Sequence, residues 1–135
     1  MIRKKDVDSM IADALDGYPL EACGLLGGTV ADDGAARVRS VHRSDNAAHS
    51  ARVYEIDPRA MLRADREAEA AGGQLIGVYH SHTHTEPKPS PTDIAQAPDP
   101  DWHYVLVSLR DLHPSVRSWN IRNGKIEEEE VVLEW

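Results

Sequence analysis

The sequence contains no phenylalanine, and aromatic residues make up only 5% of its 135 positions. We therefore expect aliphatic side chains to fill most of the core. The single cysteine, Cys23, excludes an internal disulfide and favours a reducing compartment. No apolar run approaches the roughly 20 residues that a membrane-spanning helix requires, and the acidic residues of the first two dozen positions are unlike a secretory signal. The sequence thus predicts a soluble, cytoplasmic protein.

Basic residues are outnumbered by acidic ones. The chain has 15 Lys and Arg against 23 Asp and Glu, which gives a formal net charge of −8. Nucleic acids and anionic membranes require a basic surface, so we expect neither as a partner, whereas a neutral or basic protein partner stays open. The length suits one domain, 1–135, and the 41% of hydrophobic residues suffices for one core.

Hydrophobic spacing and turn residues divide the chain into alternating helices and strands. Asp57 followed by Pro58 is typical of a helix start, and Asn123-Gly124 is typical of a hairpin turn. The patterns predict helices over 6–17 and 58–71, a short helix after Ser90, and strands over 21–30, 36–44, 52–56, 74–81, 104–109, 116–121 and 126–133. Helices interspersed with strands indicate a layered α/β domain with a mixed sheet.

The polar residues that follow the strand 74–81 form the pattern with the clearest chemistry. Residues two apart on a strand point to the same face, so His80 and His82 can direct two imidazoles at one metal ion. Asp93 lies in the first turn of the next predicted helix and can add a carboxylate. Two histidines and one carboxylate leave one position of a tetrahedral zinc open for water, which is typical of a hydrolytic site.

Each of these residues also has a structural interpretation. Histidine pairs occur on surface loops by chance, and Ser90 and Asp93 can cap a helix without taking part in catalysis. His84 could replace His80 as the partner of His82, although it lies where the strand has already become a loop. The remaining histidines are scattered along the chain and are interpreted as structural: His42, His49, His103 and His113.

The spacing H-x-H-x7-S-x2-D, formed by His80, His82, Ser90 and Asp93, resembles the signature of the JAMM (MPN+) metallopeptidases. The segment PLEACGLLG, which contains Glu21, resembles the early strand of that family. The run VYHSHTHTEPKPSPTDIAQA resembles the small bacterial, cysteine-releasing (Mec-type) branch, and the resemblance spans roughly residues 5–135. It implies a single-domain α/β/α sandwich with a mixed, largely antiparallel sheet.

The resemblance also implies a role for each residue. His80, His82 and Asp93 would bind one zinc ion per chain, Glu21 would exchange protons with the attacking water, and Ser90 would bind the oxyanion. The substrate would be a ubiquitin-like sulfur carrier protein with a Gly-Gly C-terminus, from which the enzyme releases cysteine. Thr83 stands where the wider family often has proline, which fits this branch better than the eukaryotic deubiquitinases.

Two other functions stay open. One is removal of ubiquitin-like proteins from lysines, and the other is a catalytically silent MPN scaffold. In either enzymatic case we expect an extended tail to add its backbone to an exposed strand edge beside the metal. Cys23 would share the strand face of Glu21, and we interpret it as a small packing residue.

Overall fold

The computed structural model describes residues 1–134 as three helices and eight strands. The helices are α1 (Lys4–Gly17), α2 (Pro58–Ala70) and α3 (Pro91–Gln96). The strands are β1 (Ile2–Arg3), β2 (Cys23–Val30), β3 (Ala36–Ser44), β4 (Gln74–His82), β5 (His103–Ser108), β6 (Ser115–Arg122), β7 (Lys125–Glu129) and β8 (Leu133–Glu134).

Six strands form the main sheet, in the order β3-β2-β4-β5-β6-β7. Only β4 and β5 run parallel, and the other neighbours are antiparallel. Strands β1 and β8 form a separate parallel pair. The prediction of a mixed, largely antiparallel sheet is therefore confirmed, and β4, which carries both histidines, lies inside it.

The sheet has a helix on each face. Met10 of α1 packs with Leu26 and Tyr79 in one core cluster. The neighbouring residue Gly27 faces the other way, towards Ala68 of α2, and a Cβ there would lie 3.3 Å from the Ala68 methyl group. A second cluster on that face contains Cys23, Val78, Tyr104, Leu106 and Trp119. This three-layer arrangement confirms the predicted α/β/α sandwich.

Most predicted elements occur within two residues of their expected bounds. Asp57 caps α2 by accepting a hydrogen bond from the Arg59 amide, with Pro58 in the first turn. Asn123 and Gly124 have φ angles of 52° and 75°, which fits the tight hairpin turn predicted there. The last predicted strand is divided, however, because β7 ends at Glu129 and β8 pairs with β1 instead of β6.

Two predictions about strands are wrong. Residues 52–56 form no strand, and only Ile56 makes an isolated bridge, with Asn46. The Asn46 side chain takes up the Val53 carbonyl and the Glu55 amide, so a side chain replaces the sheet partner. Glu21 lies before β2, which begins at Cys23, so the two residues do not share a strand face. Within residues 1–134, no helix is long and apolar enough to cross a membrane.

Candidate metal and active site

The two histidines and the aspartate of the motif come together at the C-terminal end of β4, one of the inner strands of the sheet. His80 and His82 lie two residues apart at the C-terminal end of β4, and Asp93 lies in the first turn of α3. The Asp93 Oδ2 atom is 3.1 Å from Nε2 of each histidine, and the two Nε2 atoms are 3.3 Å apart. All three residues are buried. Among residues 1–134 they are the one group whose donor atoms converge as metal ligands do.

The start of α3 fixes the direction of the Asp93 carboxylate. Ser90 caps the helix: its hydroxyl oxygen accepts from the Asp93 amide at 3.1 Å, and Asp93 Oδ2 accepts from the Ser90 amide at 2.9 Å. This reciprocal capping box holds the oxygen that faces the histidines. The capping box thus both starts α3 and orients the Asp93 carboxylate.

The geometry of the three donor atoms fits a tetrahedral cation. Bonds of about 2.0–2.1 Å to a tetrahedral zinc place its ligand atoms about 3.3–3.4 Å apart, close to the separations seen here. His82 Nδ1 donates to the Glu86 carbonyl at 2.8 Å, which leaves the lone pair of Nε2 directed at the other two ligands. The Tyr54 ring stacks on His80 with centroids 4.1 Å apart. These residues can therefore hold a divalent metal ion.

Burial and the hydrogen bonds within the group shift the pKa values of His80, His82 and Asp93. Burial lowers the pKa of His80, so this imidazole is neutral, the form that coordinates a metal. Burial acts in the same direction on His82, but its hydrogen bonds to Asp93 and to the Glu86 carbonyl outweigh it and raise the His82 pKa. Burial also opposes ionisation of Asp93, yet the two histidines hold its pKa well below the usual range. The aspartate is thus an anion.

Glu21 is a buried carboxylate beside this group. Its side chain is 3% exposed, and among the described residues its Oε1 atom has no hydrogen-bond partner. Burial raises the Glu21 pKa to about 8, while the charges of His82 and Asp93 lower and raise it respectively. A carboxyl group whose pKa lies near neutral pH is suited to accept and return a proton.

Sequence reasoning missed two residues that shape the site, Tyr54 and Asn46. Tyr54 lies in the segment that was wrongly predicted to be a strand, and Asn46 lies in the turn before it. The sequence of this region gave no sign of a contact with His80. His84, by contrast, lies outside the ligand group. It is exposed and faces the Tyr18 hydroxyl, 3.4 Å from its Nε2 atom.

The expected strand edge beside the proposed ligands is closed at His80. There, β4 pairs with Cys23 of β2 on one side and with Leu106 of β5 on the other, whereas at His82 the strand pairing continues only with Ser108 of β5. Two loops flank this end of β4, residues 45–57 and residues 83–90. They contact each other through a hydrogen bond from the Thr83 hydroxyl to the Ala51 carbonyl.

Known proteins share this fold and resemble this sequence over most of its length. The chain is 41% identical over 132 residues to the CysO-cysteine peptidase of Mycobacterium tuberculosis, covering 97% of this chain and 88% of that protein. It is 37% identical over 106 residues to the desampylase of Haloferax volcanii, covering 75% and 74% of the two chains. The solution structure of protein DSY2949 from Desulfitobacterium hafniense matches with a TM-score of 0.90 and 34% identity, covering 98% and 91%.

The family itself is shown by a match that spans most of the chain. Residues 3–122 fit the family described as prokaryotic homologs of the JAB domain, Prok-JAB. This match includes Glu21 and all of the segment from His80 to Asp93, and it confirms the resemblance that the motif indicated. The chain therefore belongs to the Prok-JAB family of JAMM/MPN proteins.

Proposed function

We propose that this protein is a zinc peptidase that hydrolyses the bond after the C-terminal Gly-Gly of a ubiquitin-like sulfur carrier protein and releases cysteine. The observation that carries the proposal is the convergence of His80, His82 and Asp93 in one buried group beside the buried Glu21. The identity of 41% over nearly the whole chain to a CysO-cysteine peptidase supports the choice of substrate.

Zinc is the metal that this donor set favours, and we propose one ion per chain. Two imidazoles and one carboxylate suit zinc, and three protein ligands leave its fourth position open. When bound, zinc lowers the pKa of a water molecule to about 7 and supplies a nucleophile at neutral pH. The hydrogen bond from His82 Nδ1 to the Glu86 carbonyl keeps the coordinating nitrogen of that histidine in place.

Glu21 holds and moves the proton. Its carboxylate accepts a proton from the attacking water and returns it to the amine that leaves, so the amide bond is exchanged for a carboxylate and a free amino group. General acid–base help of this kind contributes typically about 10²–10⁴ in rate. A divalent cation beside Glu21 would favour its ionised form, which is the form that acts as the base.

Ser90 is the candidate donor to the oxyanion. Its hydroxyl oxygen accepts from the Asp93 amide, and in the described part of the chain its hydroxyl hydrogen has no acceptor of its own. The hydrogen is free to bind the oxygen that becomes negative in the transition state. One such donor is typically worth about 2.7–4 kcal/mol of transition-state stabilisation.

The accessibility of the site favours a narrow substrate. His80, His82 and Asp93 are each at most 4% exposed, so little space separates the loops above them. A Gly-Gly tail has no side chains to clash with those loops and can present its terminal carbonyl. A folded protein surface cannot enter in the same way. The partner is therefore a protein with a flexible, glycine-ended tail, and we place the reaction in the cytoplasm, where the lone cysteine stays reduced.

A second candidate function is removal of such proteins from lysines, because the chain is also 37% identical to a desampylase. The carrier side of the bond is the same in both reactions, and only the leaving amine differs. A silent scaffold is a weaker candidate, since it needs neither a complete ligand group nor a buried carboxylate beside it.

Mass spectrometry of two matched substrates distinguishes the candidates. One substrate is the carrier joined through its terminal glycine to the amino group of cysteine, and the other is the same carrier joined to a lysine side chain. We expect cysteine release to be faster. An intact cysteine adduct beside efficient cleavage of the lysine conjugate would support the deconjugase, and no cleavage of either would support the scaffold.

A further inference from the structure

Asn46 forms the most complete set of side-chain hydrogen bonds outside the proposed ligands. It is buried, 8% exposed, and follows β3 in the turn that leads to α2. Its Nδ2 atom donates to the carbonyls of Glu21 at 3.0 Å, Ser50 at 3.3 Å and Val53 at 3.0 Å. Its Oδ1 atom accepts from the amides of Ala48 and Glu55, each at 3.0 Å. This one amide uses its full hydrogen-bonding capacity.

These contacts hold Glu21 by its backbone. The Glu21 carbonyl accepts from Asn46, and the Glu21 amide donates to the Ser50 carbonyl at 2.8 Å. Glu21 precedes β2, so no sheet partner fixes its main chain. Because its Oε1 atom also has no partner in the described part of the chain, the backbone bonds of Glu21 and those between the next residue, Ala22, and Ser81 hold the segment that carries the carboxylate.

The same amide orders the residues on either side of Tyr54. Val53 and Glu55 both bind Asn46, and Tyr54 between them stacks on the His80 ring. A segment without strand pairing thereby gains a defined conformation against the ligand group. One buried, fully bonded amide thus stabilises an irregular loop beside the proposed ligands.

We propose that Asn46 is a positioning residue that sets the location of the Glu21 carboxylate relative to the bond being hydrolysed. This inference rests on the proposed function of Glu21 as the proton carrier. None of the hydrogen bonds of the Asn46 side chain goes to a proposed ligand, and Asn46 acts through the Glu21 main chain. Its loss therefore alters the rate of the chemical step more than the binding of the tail.

The test compares Asn46→Ser, which shortens the side chain and removes the reach to Glu21, with Ser50→Ala. The control removes a hydroxyl that accepts from the Arg52 and Val53 amides in the same loop and leaves the Asn46 contact with Glu21 intact. For Asn46→Ser we expect kcat to fall about 10- to 100-fold with KM changed by less than about threefold, whereas Ser50→Ala stays near wild type. Equal effects of the two variants on kcat would overturn the proposal.

A double-mutant cycle tests whether Asn46 acts through Glu21. In a Glu21→Gln background, where the residual rate is followed by mass spectrometry over long incubations, Asn46→Ser should cause no further loss. Rates that fall by the same factor in both backgrounds would show that Asn46 acts by another route. Thermal melts of each variant give the folded fraction by which the rates are corrected.

Hydrogen exchange gives a readout that needs no activity. In Asn46→Ser we expect faster exchange of the Glu21 amide as well as of Ala48 and Glu55, while the Ser81 amide, bound to the Ala22 carbonyl within the fold, keeps its protection. Unchanged protection of the Glu21 amide would overturn the proposal. If the wild-type protein cleaves neither carrier substrate, the proposed function fails, and the exchange measurement still decides whether Asn46 holds Glu21.

Discussion

Glu21 is a buried carboxylate whose Oε1 atom has no hydrogen-bond partner within residues 1–134. Such a group costs free energy in the folded protein and is typical of sites that use its chemistry. We predict that Glu21→Gln keeps the fold and the bound metal but loses nearly all hydrolysis, because the amide cannot accept the proton. Elemental analysis and single-turnover kinetics measure both properties. Wild-type turnover in this variant would remove Glu21 from the mechanism, and loss of the metal would make it a ligand instead.

The same variant should change the pH dependence of stability in the metal-free protein. Burial raises the Glu21 pKa to about 8 from an ordinary value of 4.5. The folded state therefore holds this proton more tightly than the unfolded state, and its stabilising contribution, complete below pH 4.5, is lost as the pH rises to 8. In chelator-treated protein, Glu21→Gln should lack this loss. If the melting temperatures of the two proteins change in parallel from pH 5 to 9, the raised pKa is wrongly assigned to Glu21.

His82 provides the direct test of the ligand group at the scale of one residue. We predict that His82→Ala loses the metal, since the two ligands that remain, His80 and Asp93, rarely hold zinc firmly. The exposed His84 is the matched control, and His84→Ala should keep one metal per chain. Elemental analysis of both proteins after dialysis measures this. Full occupancy in His82→Ala would refute the ligand assignment. Wild-type binding should also weaken in acid, because the imidazoles must be neutral to coordinate.

At the scale of elements, the start of α3 combines a structural and a chemical role. We predict that Ser90→Ala lowers kcat with little change in KM, because the hydroxyl bond to the oxyanion strengthens only in the transition state. The loss of the cap costs about 0.5–2 kcal/mol of stability as well. Ser90→Gly also removes the hydroxyl but costs only about a few tenths of a kcal/mol at a cap position, so it separates the two effects. A loss of activity that disappears after correction for the folded fraction would leave Ser90 with the cap alone.

The elements that could be predicted from the sequence are those whose signals are local. The caps at Asp57 and Ser90, the Asn123-Gly124 turn and the two-residue spacing of His80 and His82 each depend on neighbours in the chain. These signals, with the family resemblance, were enough to indicate the ligand group and the sandwich.

What the sequence did not reveal depends on partners far along the chain. The segment 52–56 was predicted to be a strand, yet its Val53 carbonyl and Glu55 amide bind the side chain of Asn46. Neither the stacking of Tyr54 on His80 nor the anchoring of Glu21 has a local signal, because each joins segments more than 20 positions apart. The open strand edge was expected for the same reason, since the pairing of β4 on both sides depends on the whole sheet.

At the scale of the whole molecule, the sheet brings three separate segments to one point. Glu21 precedes β2, the loop with Asn46 and Tyr54 joins β3 to α2, and β4 with α3 supplies the metal ligands. Strands β2 and β4 are direct neighbours, which places Glu21, the proposed proton carrier, beside the proposed ligands. Because the net charge of the chain is −8, we expect the protein partner to be neutral or basic where it docks.

The reaction proposed for this site is hydrolysis of the bond between a carrier's terminal glycine and cysteine. Mass spectrometry of the carrier–cysteine adduct, after incubation with the zinc-loaded protein in ¹⁸O-labelled water, follows both products. We expect free cysteine and a carrier whose new terminal carboxylate contains one ¹⁸O atom, with only a small residual rate in Glu21→Gln and no reaction after removal of the metal. An adduct that stays intact beside fully zinc-loaded protein, or cysteine release at the wild-type rate in Glu21→Gln, would contradict this reaction.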